Sequence, residues 1–406
     1  MLKETYFKLL KNISPENLVA NFFKKNSFKY FENAVAIGKA AIPMINSFNS
    51  INNFKKGLAV SPFGGDVPQN TELCISTHPQ ITEKSVKCAD KVIGFLQESE
   101  GNTAILLSGG GSALIEKPLD FLSLDEITRI NDFLVKSGLP IEEINFFRIH
   151  LSEIKGGGLL NYLKGDAICF VLCDVLRDRI DRVSSAPFLA VERNYNLFLD
   201  KADKVGLWKV LPYEKREYFK RFVFKSSNKK VSHFIVGSNN TSVDMFFSIL
   251  EKKGFKGLKL YNFVEKEVEE ESGRFFCLIE DFLEKQEDFL VAGGEATVNV
   301  RGKGEGGRTL ELGLRLIRRF IEHSFLPPVE FLFATTDGLD GNSGCAGIFV
   351  SYDVLKEIVK NETVLSIEGY LEDSNSKSFF EKYGCLIKTG YTGTNLLDVY
   401  SVFKIK

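Results

Sequence analysis

Short apolar runs alternate with helical segments along most of this chain, and that alternation restricts it to a largely parallel α/β architecture. In the first part the runs are Asn33–Gly38, Lys56–Pro62, Leu73–Thr77, Thr103–Leu107, Asp166–Asp174 and Val231–Gly237. Helical spacing separates most of them, at Ala40–Phe48, Thr82–Glu98 and Ser123–Ser137. One helix precedes them at Ser14–Lys25 and another follows at Thr241–Lys253. Strands joined by such crossovers predict a Rossmann-like, doubly wound parallel sheet over residues 1–245. The polar stretch Gly237–Thr241 precedes the boundary.

The remainder, 246–406, repeats the style in a different arrangement. Gly257–Phe263 reads as a strand and Glu271–Lys285 as a helix. Phe289–Gly293 and Ala296–Val300 flank Gly294-Glu295 as one bent strand or two strands. Arg308–His323 carries Leu310, Leu314, Ile317 and Ile321 on one helical face. Glu330–Thr335, Ala346–Val350, Cys385–Thr389 and Leu396–Phe403 complete the strands. A length of 406 residues suits two domains.

Charges nearly cancel, at a net −1, so no nucleic-acid partner is expected. No apolar run approaches the ~20 residues a bilayer span needs, and Met1–Thr5 lacks the apolar core of a signal peptide. The seven scattered cysteines fit reduced thiols and a cytoplasmic location. Cys169 and Cys173 lie in an apolar run and read as core. Four histidines, none near a second, argue against zinc. Phe22-Phe23, Phe146-Phe147 and Phe246-Phe247 read as packing residues.

Glycine-rich segments follow several strands, where backbone N–H groups can converge on an anion. Gly38-Lys39 sets one ammonium at a strand end. Ser108-Gly109-Gly110-Gly111-Ser112 reads as a phosphate cradle, although no Walker GxxxxGK[ST] is present. Gly302–Gly307 opens the helix that begins at Arg308, whose guanidinium offers a fork for phosphate or carboxylate. Thr335-Thr336-Asp337-Gly338 puts a carboxylate at a strand end, suited to magnesium or to a hydroxyl proton. Thr389–Asn395 is a further strand end rich in glycine and hydroxyls.

Together these segments resemble the glycerate 2-kinases that carry a MOFRL C-terminal domain. The matching stretches are AIGKAA at Ala36–Ala41, SGGGSAL at Ser108–Leu114, EINFFRIHLSEIKGGGL at Glu143–Leu159 and Asp174-Val175. They continue with GGEATVNVRGKGEGGRTLELGL at Gly293–Leu314, TTDGLDG at Thr335–Gly341 and TGYTGTNLLD at Thr389–Asp398. The resemblance implies two non-similar three-layer α/β/α domains, the second with a mixed sheet, and a site in the cleft between them. It implies transfer of a phosphoryl group from ATP to D-glycerate, giving 2-phosphoglycerate, with Mg2+. Lys39, Glu295, Arg308 and Asp337 would then be catalytic. Ser108, Gly109, Gly110, Gly111, Ser112, Gly306, Gly307, Thr392 and Asn395 would bind ATP, and Asp174 or Asp337 would hold the magnesium. The partners are the hydroxy acid and ATP, with neither membrane nor nucleic acid, and a homodimer remains open. His150 is balanced between binding and structural roles.

The chain departs from the family pattern at Gly158, where an arginine is usual, and at Arg177-Asp178-Arg179, Ala186, Thr309 and Tyr391. Thr77-His78-Pro79 stands for the usual GHP. Another sugar-acid kinase, a non-catalytic metabolite-binding paralogue and a hydroxypyruvate reductase are the alternatives. The last fits poorly, since no dinucleotide GxGxxG follows the first strand here.

Overall fold

A computed structural model describes residues 1–405. The chain forms two compact units, each built on its own sheet. The N-terminal unit comprises Val19–Cys173 and Arg179–Val236. The C-terminal unit takes Met1–Leu18, Asp174–Asp178 and the chain from Gly237 onward. A single cut at 245 is therefore replaced by an interleaved division. Its cause is the helix Leu2–Asn12, which buries Leu2, Tyr6 and Leu9. That helix packs on helix Asn239–Glu251, and the Tyr6 hydroxyl donates to the Thr335 carbonyl at 2.5 Å.

The N-terminal sheet contains β1 (Asn33–Ile37), β2 (Lys56–Ser61), β3 (Thr71–Ile75), β4 (Thr103–Leu107), β5 (Ala167–Leu172) and β6 (Ser232–Gly237). Their order is β3-β2-β1-β4-β5-β6, with parallel pairing from β3 through β5. Every residue of β1 and β4 is buried, as expected of central strands covered on both faces, and hence their unbroken apolar sequences. After β1 the chain winds to one side and after β4 to the other. A crevice opens at the carboxyl ends of that adjacent pair, where ligands bind in doubly wound sheets. Gly38-Lys39 follows β1 and Ser108–Ser112 follows β4, so the winding sets these loops side by side.

Helices Leu124–Lys136, Ile141–Leu151, Tyr195–Val205 and Lys215–Arg221 share a second core around Phe147, Phe198 and Phe219. His150 belongs to this packing. Its Nδ1–H donates to the Phe146 carbonyl (2.8 Å), leaving Nε2 to accept the Asn194 N–H (3.0 Å). Burial pushes its pKa down to about 4. Both ring nitrogens are used inside the fold, so the residue is structural. The reading of all cysteines as reduced thiols is corrected at one pair. Cys74 on β3 and Cys88 on helix Glu83–Glu98, with Cα atoms 6.0 Å apart, form a disulfide.

The C-terminal sheet contains β7 (Gly257–Val264), β8 (Phe289–Gly294), β9 (Val329–Thr335), β10 (Gly347–Val350), β11 (Leu386–Ile387) and β12 (Asp398–Lys404). Its order is β11-β10-β9-β12-β8-β7. Only β7 and β8 pair in parallel; the other pairings are antiparallel, so the sheet is mixed. One face, with Leu290, Ala292, Phe331, Phe333, Tyr400 and Val402, packs into a core shared with helices Val268–Leu283 and Arg308–Glu322. Helix Asn239–Glu251 contacts β7, β8 and β12, with Val243 and Asn239 against Gly293. The run Ala296–Val300 forms no strand; only an isolated bridge joins Thr297 to Glu267.

Lys155 is 2 % exposed and its ammonium pairs with the equally buried Glu116. Burial lowers its pKa, while Glu116 opposes that shift. Removing one member strands the other charge. Lys155→Met is expected to destabilise the protein by about 3–5 kcal/mol in chemical denaturation.

Ser184, Ser185 and Ala186 occupy the left-handed region in succession (φ 52°, 58° and 53°), which is costly for residues with a Cβ. Their backbone is held by the neighbouring loop: Gly157 N–H donates to Ala186 O at 2.7 Å, and Gly156 N–H to Ser185 O at 2.9 Å. Ala186→Gly is expected to raise stability by about 0.5–1 kcal/mol, read as a higher urea midpoint at unchanged slope.

Candidate active site

The C-terminal unit gathers its charged groups through strand register. Antiparallel β12 lies between β8 and β9, so Asp398 at its start stands opposite Gly294 and Thr335 at their ends. Glu295 and Asp337 follow those two residues closely. Arg308 begins the helix Arg308–Glu322. Its Nε and Nη2 grip both Asp398 oxygens at 2.7 and 2.9 Å, and Nη1 lies 2.7 Å from Glu295 Oε1. Asp398 is fully buried and also accepts the Tyr400 hydroxyl at 3.0 Å.

The electrostatics follow from this packing. Burial works against the Arg308 cation, but Asp398 and Glu295 outweigh it and hold the guanidinium above its usual range. Burial also raises Glu295, Arg308 opposes, and the charges of Asp398, Asp174 and Asp337 add to the rise, giving about 7. A carboxylate poised there can take a proton near neutral pH. The same influences place Asp174 and Asp337 within electrostatic reach of Glu295, so the expected acidic residues of this unit do come together.

Asp337 Oδ1 accepts the Thr335 hydroxyl (2.8 Å) and the Leu339 N–H (3.0 Å). Among the described residues no group of three His, Cys, Asp or Glu side chains forms a metal cluster. One or two carboxylates completed by water and phosphate are the usual magnesium set, however, so Asp174 and Asp337 fit that donor chemistry.

The Gly306–Gly307 cradle is corrected by what occupies it. Asp340 Oδ2 accepts Thr309 N–H (3.0 Å), Leu310 N–H (3.0 Å) and the Thr309 hydroxyl (2.8 Å), which caps the helix internally. Burial is the main cause that brings the Asp340 pKa to about 6. Gly306 N–H donates to Asn342 Oδ1 at 2.8 Å. The Arg308 side chain at the end of this loop points instead to Asp398 and Glu295. Thr392 and Asn395 likewise build their own turn: Thr392 Oγ1 bonds the Thr336 carbonyl at 2.7 Å, and Asn395 Oδ1 accepts Leu397 N–H at 3.0 Å.

In the N-terminal unit the two crevice loops are tied together. Ser108 Oγ accepts Ala40 N–H at 3.1 Å, and Lys39 N–H donates to Gly109 O at 2.9 Å. Gly38 has φ +131°, and a Cβ there would fall 2.1 Å from Ser108 Oγ, so only glycine fits. Ser184 Oγ donates to Ser108 O (2.7 Å) and accepts Gly111 N–H (2.9 Å), while Ser112 and Ser185 join through their hydroxyls (2.7 Å). Ser108 and Gly111 are thus framework. The helix after them, Gly111–Leu114, has only 4 residues. Gly110 (φ +91°) sits against Lys39 and His78, at 3.1 and 3.3 Å from an added Cβ. Desolvation and then the Lys39 ammonium lower the His78 pKa.

Sequence reasoning missed Asp398, although it closes the quoted TGYTGTNLLD stretch; its partner lies 90 positions away. It also read Gly237–Thr241 only as a polar stretch preceding the boundary. Ser238 and Thr241 there form a capping box, and Asn239 Nδ2 donates to the carbonyls of Leu396 (2.8 Å) and Asp398 (2.9 Å). Gly158 lies in a packed turn where a Cβ would meet Glu153 O at 1.9 Å.

Residues 1–220 match a domain of unknown function, DUF4147, and residues 288–398 match the MOFRL family. A glycerate 2-kinase of Pyrococcus horikoshii is 30% identical, over 90% of this chain and 85% of its own. A D-glycerate 2-kinase of Thermotoga maritima is 32% identical, over 90% and 88%. The crystal structure of a glycerate kinase from Thermotoga maritima superposes with a TM-score of 0.86 at 28% identity, covering 99% of this chain and 98% of that one. With both domain matches in order and relatives aligned over most of its length, the chain belongs to the glycerate 2-kinase family that joins a DUF4147 domain to a MOFRL domain.

Proposed function

We propose that this chain phosphorylates D-glycerate at its 2-hydroxyl with ATP. The observation that carries the reading is Glu295, raised to about 7 while held by an arginine that a buried carboxylate keeps fixed. That is the equipment needed to take a proton from an alcohol and balance charge on a moving phosphoryl group.

In the proposed reaction the substrate oxygen attacks the γ-phosphorus, the bond to the β-phosphate oxygen breaks, and ADP leaves. Glu295 accepts the hydroxyl proton. Arg308 neutralises charge beside it, with Asp398 as the positioning residue for the guanidinium. Lys39 supplies the cation of the N-terminal unit, next to the glycine loop at Gly110. Asp174 and Asp337 would hold magnesium, which offsets phosphate charge when bound. A cytoplasmic setting suits an ATP-consuming reaction, and among the described residues no helix is long and apolar enough to cross a membrane.

A coupled ADP-release assay over a panel of hydroxy acids, with magnesium or with chelator, tests the substrate. Glycerate-dependent ADP release with 2-phosphoglycerate as product supports the proposal; NADH oxidation with hydroxypyruvate and no ADP release would overturn it. Lys39→Ala and Arg308→Ala are each expected to lower kcat on the order of 10³-fold in folded protein. Arg308→Lys should recover little, because an ammonium cannot reproduce the fork.

Glu295 must be ionised to act as base. Activity should therefore fall as pH drops through about 7, with kcat/KM flat above that limb. Glu295→Gln should cost about 10²-fold or more and abolish the limb; a pH profile of kcat/KM reads both.

A further inference from the structure

Beside Gly110 the N-terminal unit carries a cleft of about 500 Å³, within the range that holds drug-sized ligands. A three-carbon acid would fill little of it. Ile81, Ala113 and Val135 give it apolar wall, and Val135 is 62% exposed there. Arg148 also lines it. Its Nε donates to Asn131 Oδ1 at 3.0 Å, and Asn131 is fixed in turn by Nδ2 bonding the Ile127 carbonyl at 3.0 Å. No hydrogen bond is formed by either Nη group of Arg148 among the described residues. Burial works against this cation, with Glu116 opposing. A partly desolvated guanidinium that makes no direct ion pair is costly, and an arriving anion relieves that cost. Gly110 and His78 also line the cleft, and both lie against Lys39.

We infer that this cleft binds the nucleoside of ATP, with the flat base on the Ile81–Ala113–Val135 wall, Arg148 on a phosphate oxygen, and the chain of phosphates directed past Gly110 to Lys39. The inference rests on the kinase reading for its choice of ligand. It adds Arg148 as a nucleotide-binding residue and Val135 as a determinant of nucleotide affinity.

The test is Val135→Trp in the full chain, where the exposed position lets the fold tolerate a bulky ring that fills the cleft. The KM for ATP should rise at least about tenfold, with kcat at saturating ATP and the KM for glycerate within about twofold. Arg148→Met should raise the ATP KM in the same selective way. The rise in Tm that ADP gives the wild-type protein should be lost in Val135→Trp. A raised glycerate KM with unchanged ATP KM, or no change in either, overturns the assignment. If the wild-type chain gains Tm with ADP but transfers nothing to glycerate, the kinase reading falls, and loss of that gain in Val135→Trp still supports the cleft.

Discussion

The bidentate pair of Arg308 with Asp398 is the interaction on which the C-terminal site depends. Asp398 has no exposed surface, and an unpaired buried carboxylate would cost several kcal/mol. The guanidinium fork and the Tyr400 hydroxyl satisfy it together. Such a pair adds little net stability against an apolar replacement, but it fixes orientation. With Nε and Nη2 committed, Nη1 is left for Glu295. The antiparallel insertion of β12 supplies the buried carboxylate, and Asn239 holds the backbone where that strand begins.

The N-terminal unit achieves comparable rigidity by backbone means. The switch in winding between β1 and β4 brings two loops together; Ser108 bonds across them, and Ser184 braces the second from a separate segment. Three consecutive left-handed residues at Ser184–Ala186 put those hydroxyls in place. Strain of this kind persists only where surrounding contacts over-determine the backbone. Here those contacts are the bonds to Gly111, Ser112, Gly156 and Gly157. The result is a stiff platform for Lys39.

Much of this was legible in the sequence because buried parallel strands read as apolar runs bounded by glycine. β1 and β4 are the clearest cases. β11 is only 2 residues long and offers little period to read. Helix Ile141–Leu151 escaped because apolar residues surround it, with Phe146-Phe147 breaking any one-sided stripe. Ala296–Val300 has strand composition but lacks a strand neighbour beyond one bridge. Arg308, Glu295 and Asp337 were found through motifs and do share one electrostatic neighbourhood. Asp398 was not, since a lone aspartate at a strand start resembles any turn cap until its partner is known. The disulfide was hidden for a related reason: a helix and an edge strand bring Cys74 and Cys88 together across 14 positions.

The two expected phosphate cradles share one correction, and it bears on the chemistry. Asp340 already occupies the N-terminus of helix Arg308–Glu322, and the helix after the triple glycine is too short to carry much dipole. Positive charge for a phosphate must then come mainly from side chains. Arg308, however, is largely balanced by Asp398 and Glu295 before any ligand arrives. A phosphoryl group approaching Glu295 would raise that carboxyl further above 7, since like charge disfavours its ionised form. Unless another cation accompanies the phosphate, the base would become protonated as its substrate arrived. That electrostatic shortage, with the carboxylates of Asp174 and Asp337 nearby, is why the proposed reaction would draw on magnesium in addition to Lys39.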